Sequence, residues 1–305
     1  MDTFKILSAP LQGYTTRAWR LAHWRVFGAV DDYTAPFMRV QRGQVRRHDV
    51  ADVDPSENAD VPLVPQILAS QPGDALIMVN ALTAMGYHRI DINLGCPFPP
   101  IALHRKGSGM LPHPDLVEEL FTSLATVQGV EYSLKMRLGW DHPEQWKQVL
   151  PLTHILRPVR VVVHPRIGKQ QYAGDLDMAQ FEQLLANCPW PVVFNGGITS
   201  PEQIDEVRHN YPSLAGVMVG RGLISNPAML CPEKATPACY RQFHDNILND
   251  YTTHMTGGDK QVLTHMKALW EWMLPQADKR ARKAIKKSTR FDHYLAAVDQ
   301  VFAHF

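Results

Sequence analysis

The chain has 305 residues, 45% hydrophobic and 20% charged, with a formal net charge of +1; this excludes a disordered or polycationic protein and fits one large domain with a small appendage. No window approaches the ~18 uninterrupted apolar residues of a membrane span, and the start M-D-T-F-K-I-L-S-A-P is too short and too polar for a signal peptide. Cys96, Cys188, Cys231 and Cys239 show no C-x-x-C spacing and no nearby histidine pair, which argues against a metal site or a disulfide framework and for a reducing cytoplasm.

Short β-branched runs, each closed by Gly, Pro, Asn or a charge, predict strands at 4–10, 30–37, 61–68, 89–95, 132–139, 159–165, 191–197 and 215–222. Between them, residues 72–85 and 114–127 carry helical spacing, and 201–208 opens on a proline, as first helical turns often do. Strand–helix alternation requires parallel pairing through crossover helices. Eight such units predict an α/β chain folded as a (β/α)8 TIM barrel over residues 1–232. A doubly wound open sheet suits the pattern less well, because no G-x-G-x-x-G follows the first strand. Beyond Pro227 the pattern changes, and helices at about 238–255, 260–274, 276–288 and 290–304 predict a small all-helical domain over 236–305.

That tail concentrates charge. Residues 279–290 hold Lys279, Arg280, Arg282, Lys283, Lys286, Lys287 and Arg290 with no acid among them. A block of this kind on an otherwise balanced protein points to a polyanionic partner, against the blander reading of a solvated helix face.

Polar residues gather at the C-terminal strand ends: Gln66, Asn93, Cys96, Lys135, Arg137, His164, Arg166 and Asn195. Barrel enzymes build their sites at that face. N-G-G-I (Asn195, Gly196, Gly197, Ile198) and G-V-M-V-G-R-G, with Gly220 and Arg221, end the last two strands. Glycines there let backbone amides approach a phosphate, and the arginine adds charge-assisted bonds. Lys135, directed inward, needs an anion or a chemical role, either as a Schiff-base amine or as a cation against an electron-rich ring. Cys96, between Gly95 and Pro97 in I-D-I-N-L-G-C-P, is placed either as a nucleophile or as a general acid, since a thiol pKa of about 8.5 keeps it protonated at neutral pH.

A-P-L-Q-G-Y-T-T (9–16), Gln66, D-I-N-L-G-C-P (91–97), K-G-S-G-M-L (106–111), K-M-R-L-G (135–139), V-H-P-R (163–166), Q-Q-Y-A-G (170–174) and the two glycine-rich strand ends occur in this order. Together they resemble the tRNA-dihydrouridine synthase family. The resemblance implies flavin mononucleotide (FMN)-dependent reduction of the carbon 5–carbon 6 double bond of a uridine in the tRNA D-loop, with NADPH as reductant. Hydride would go to carbon 6 and a proton from Cys96 to carbon 5. It further implies flavin contacts at Pro10, Leu11, Gln66, Lys135, His164, Asn195, Gly196, Gly197, Gly220 and Arg221, uridine-side contacts at Asn93 and Arg166, and tRNA contacts along the basic tail. A cytoplasmic, metal-free monomer is expected. The sequence departs from the family pattern at Leu11 and Thr16, where methionine and aspartate are usual, at Pro165, which replaces a glycine, and in M-L-P-H-P (110–114). The competing reading is an FMN barrel oxidoreductase acting on a free pyrimidine or an enone.

Overall fold

The computed structural model describes residues 4–58 and 60–303. Eight parallel strands form the barrel: β1 (Lys5–Ser8), β2 (Asp32–Thr34), β3 (Leu63–Val64 and, past Pro65, Gln66–Ile67), β4 (Arg89–Leu94), β5 (Glu131–Gly139), β6 (Arg160–Ile167), β7 (Val192–Asn195) and β8 (Gly216–Val219). All eight expected strands are present. Closure happens at β3. Its first segment pairs with β2, Tyr33 facing Leu63, and its second with β4, Gln66 facing Asp91. Pro65 supplies no amide hydrogen, so the strand passes from one neighbour to the other there, while its carbonyl still accepts from Asp91 N (2.9 Å).

Alternation along the strands sorts the side chains. Ile90, Ile92, Leu134, Met136 and Val163 are buried in the large apolar cluster, whereas Leu7, Val162, Val193 and Met218 form a separate small one. Asp91, Asn93, Ser133 and Arg137 occupy the intervening, buried positions. At the opposite end of the barrel, Asp32 accepts from Arg89 (2.8 Å) and Arg160 (2.7 Å), each at the start of its strand.

Helices α1 (Arg17–Val26), α2 (Pro72–Ala84), α3 (Pro114–Leu124), α4 (Met178–Asn187) and α5 (Pro201–Asn210) cover the barrel, three of them opening on a proline whose missing amide costs nothing there. After β5 the covering helix is broken into Trp146–Val149, Leu150–Leu152 and Thr153–Leu156, with Pro151 in the middle piece. Pro165, the departure noted above, sits where the β5–β6 register shifts between Arg137 and Gly139, so the ladder needs no amide hydrogen from it.

The tail forms α6 (Pro237–His254), α7 (Gly258–Trp272), α8 (Lys279–Lys287) and α9 (Phe291–Ala303). Among the described residues no helix is long and apolar enough to cross a membrane. α6 lies along α1. Phe243 meets Trp19 edge-on (centroids 6.2 Å) and Phe27 (5.6 Å), and Arg17 pairs with Asp250 (2.9 Å). Thr16, standing where the family has an aspartate, shares a hydrogen bond with the Tyr251 hydroxyl (2.9 Å). Barrel helices and tail helices therefore share one continuous apolar cluster. Phe243→Ala is expected to cost about 3–5 kcal/mol and to lower the stability of barrel and tail together, as a single shifted transition in chemical denaturation.

Candidate active site at the mouth of the barrel

A cavity of about 710 Å³ opens at the C-terminal ends of the strands. Pro10, Leu11, Asn93, Cys96, Lys135, His164, Asn195, Gly196, Gly197, Gly220 and Arg221 all line it, drawn from β1, β4, β5, β6, β7 and β8 and the loops that follow them. Among the described residues its lining contains the cations Lys135, Arg137 and Arg221 and no carboxylate.

Cys96 owes its position to a chain of hydrogen bonds rising from inside the barrel. Ser133 Oγ donates to Asp91 Oδ1 (2.5 Å), and Gln66 Nε2 donates to Asp91 Oδ2 (2.7 Å). Gln66 Oε1 then accepts from Asn93 Nδ2 (2.8 Å), which leaves Asn93 Oδ1 to accept from Gly95 N (3.0 Å) and Cys96 N (2.8 Å). From above, Arg137 Nε donates to Gly95 O (3.1 Å), and Ser108 Oγ donates to Cys96 O (2.8 Å). Gly107 (φ +59°) packs directly on the cysteine, and any β-carbon there would lie 2.8 Å from Cys96 Cβ. Burial raises the thiol's pKa, with Arg137, Lys135 and Arg39 opposing, so Cys96 is held as a protonated thiol at neutral pH.

Lys135 reaches into the cavity with no hydrogen bond or ion pair among the described residues. Burial, and then the Arg137 charge, lower its pKa to about 8. His164 is held neutral by burial and by the surrounding cations, and its Nδ1 is buried without a partner. At the other end Arg221 lies over the rings of Tyr172 (4.6 Å) and Trp272 (5.8 Å). Gly196 (φ +151°) and Gly197 (φ +69°) adopt backbone angles open mainly to glycine, and bring the turn after β7 against the cavity.

Several expected contacts sit elsewhere. Gln66 lies beneath the cavity, fully buried, with both ends of its amide engaged in the chain that positions Cys96. Asn93 lines the cavity, but its oxygen and one amide hydrogen are committed to the same chain. Arg166 stands outside the lining, where Nε and Nη2 donate to Gly174 O (3.1 and 2.8 Å) and fasten the loop that carries Tyr172. In the tail, Arg282 donates to Pro275 O and Trp270 O (both 3.0 Å), which makes it part of the bundle, and Arg290 pairs with Asp292 (2.8 Å). Lys279, Arg280, Lys283, Lys286 and Lys287 are exposed along α8, whose Ala281 and Ile285 face inward.

The sequence reading missed Tyr172, Phe37, Phe98 and Trp272 in the lining and assigned no role to Arg137 or Asp91. Tyr172 lay within the Q-Q-Y-A-G motif. Trp272 had no local signal, because it arrives from α7, where Leu274 N donates to Ser225 O (2.9 Å) and Tyr14 donates to Glu271 Oε2 (3.0 Å).

Solved structures similar to this chain include the old yellow enzyme from Trypanosoma cruzi (TM-score 0.54, 10% identity, 76% of this chain and 87% of that one) and morphinone reductase (TM-score 0.53, 11% identity, 76% and 85%). At such identity the likeness shows the fold alone. Curated relatives include tRNA-dihydrouridine synthase B of Yersinia pestis, 27% identical over 226 residues (73% of this chain, 68% of the relative). Another is the probable tRNA-dihydrouridine synthase 2 of Bacillus subtilis (strain 168), 29% identical over 173 residues (54% and 52%). The family model described as dihydrouridine synthase (Dus) matches residues 7–303, barrel and tail alike. The chain therefore belongs to the dihydrouridine synthase family.

Proposed function

We propose that the protein reduces the carbon 5–carbon 6 double bond of a uridine in the tRNA D-loop, using FMN with NADPH as the source of electrons and Cys96 as the proton donor. The observation that carries this is the cavity itself. It has three cations and no carboxylate in its lining, and a protonated thiol fixed at one edge.

The residues fit a flavin on their own chemistry. Among the described residues, Lys135 is an inward cation without an internal partner, His164 Nδ1 is an orphaned buried polar atom, and Arg221 lies over two aromatic faces without a hydrogen bond or ion pair. Lys135 would meet the electron-rich ring, and Arg221 with the turns at Gly196–Gly197 and Gly220 would hold the phosphate. When bound, the flavin supplies hydride. Within the chain, Cys96 Sγ would donate its proton to carbon 5, and the thiolate would recover a proton from solvent. Burial suits this role, because it keeps the thiol protonated until a developing carbanion can take the proton. Arg137 keeps the loop in place by holding Gly95 O. A target base must leave its stack to reach the cavity, and the exposed basic face of α8 supplies a grip on the RNA backbone.

Cys96→Ala is expected to retain the yellow flavin absorbance and tRNA binding while its dihydrouridine formation falls about 100- to 10 000-fold. Unchanged turnover sinks the proton-donor role. Mapping dihydrouridine in tRNA from cells lacking the protein identifies the uridine that is lost.

Lys135 makes a second prediction, about stability. Its pKa is lowered from 10.5 in the unfolded chain to about 8, so burying the charge costs on the order of 3 kcal/mol below pH 8. The unfolded state binds the extra proton between pH 8 and 10.5, so the penalty fades as pH rises through that window. Flavin-depleted Lys135→Met should therefore be more stable than the parent at pH 7, with the gap closing by pH 10.5, read from chemical denaturation midpoints. The same substitution should weaken flavin retention.

A further inference from the structure

The largest cluster of charge that the proposed chemistry leaves unused lies outside the tail. Residues 39–48, R-V-Q-R-G-Q-V-R-R-H, hold four arginines and a histidine and no acid. The segment follows β2 at the C-terminal end of the barrel and folds into a small antiparallel hairpin, Val40 opposite Val45 and Gln41 opposite Gln44. Its two turn residues, Arg42 (φ +53°) and Gly43 (φ +75°), both take positive φ, the combination that a tight two-residue hairpin requires. The root is fixed as well: buried Asp49 accepts from Arg39 N (2.9 Å) and lies 4.0 Å from Arg46 Nε. The hairpin is thus a built projection and not a loose loop.

Arg42 at its tip, and Arg47 at the start of the short helix Arg47–Asp52 that follows it, are exposed, with no hydrogen bond or ion pair among the described residues. Deeper in, the Arg39 guanidinium lies over the Phe37 ring (5.6 Å), and Phe37 packs in one cluster with Leu68, Ile101 and Cys96. This places Arg39 and the root of the hairpin beside the Cys96 end of the cavity. Trp272, the last residue of α7, enters the lining at the Arg221 end, and Arg282 anchors α8 to Trp270 O of the same helix.

We propose that the Arg42–Gly43 hairpin is a second RNA-backbone contact, with Arg42 and Arg47 each taking a phosphate beside the uridine that reaches Cys96. The inference rests on the reading of the cavity as a tRNA-uridine site. A base drawn out of its stack stays tethered to phosphates on both its 5′ and its 3′ side, and holding one flank alone leaves it free to swing back. Cations that have no internal partner lose no ion pair on meeting a phosphate, and each contact releases counterions. The hairpin and α8 supply two separate points of grip.

The experiment measures tRNA binding by the flavin-loaded protein over a salt series, together with steady-state reduction. R42Q/R47Q should lower the slope of log affinity against log salt by about 1.4–1.8, for two lost phosphate contacts. It should raise KM for tRNA about tenfold with kcat within about twofold, the pattern of lost uniform binding. R42K/R47K should restore the slope, which separates charge from folding. R157Q/R208Q removes the same charge from the opposite end of the barrel and should leave slope and KM unchanged. An unaltered slope and KM in R42Q/R47Q, or an equal loss in R157Q/R208Q, overturns the hairpin contact while leaving tRNA reduction by the parent intact. A parent protein that neither binds nor reduces tRNA overturns the functional reading and the hairpin contact with it.

Discussion

The Asp91 carboxylate, enclosed in the barrel, sets the direction of everything above it. An ionised carboxylate only accepts hydrogen bonds, so Gln66 must turn its amide nitrogen toward Asp91 and its oxygen upward. Asn93 must then give its nitrogen to Gln66 and its oxygen to the amides of Gly95 and Cys96. Two side-chain amides, each with two orientations of nearly equal size, are locked in one arrangement by a single charge. Burial raises the pKa of Asp91 to about 6, against the opposing pull of Gln66, Ser133 and Arg160. At neutral pH the carboxylate is ionised and the direction holds. As pH falls through 6 one oxygen gains a proton and the polarity of the chain is no longer enforced.

The lining gains its cations at a cost to stability. Lys135, Arg137 and Arg221 converge with no carboxylate among them, and each lowers the proton affinity of His164. A fold selected for stability alone would pair these charges or replace them with apolar side chains. An anionic ligand of the kind proposed above would complete the arrangement, which ties the electrostatics of the cavity to that proposal.

The barrel was legible in the sequence because its signals are local. Six of the eight strand runs end in Gly or Pro, and the three prolines that open α2, α3 and α5 stand at first helical turns. The four tail helices were readable for the same reason. Inward-pointing Lys135 followed from alternation along its strand, and His164 and Asn195 from their places at strand ends. What escaped depends on contacts between distant segments. Gln66 reads like any strand-end amide until Asp91 is seen beside it in register, 25 residues away. Arg166 and Arg282 look like free cations until carbonyls at Gly174 and Trp270 are found to hold them. Trp272 belongs to the cavity only because α7 is docked on the barrel.

That docking bears on how such proteins can diverge. Phe243 and Tyr240 of α6 interlock with Trp19 of α1 and with Phe27 just past its end, and Thr16 at the head of α1 holds Tyr251. A seam of aromatic rings in close edge contact tolerates change on one side only when the other side changes with it. The tail of this chain is therefore poorly exchangeable as a module. A tail borrowed from a relative would need α1 to travel with it, and through Trp272 it would also bring a different wall for the cavity. Tail helices and cavity wall are obliged to drift together.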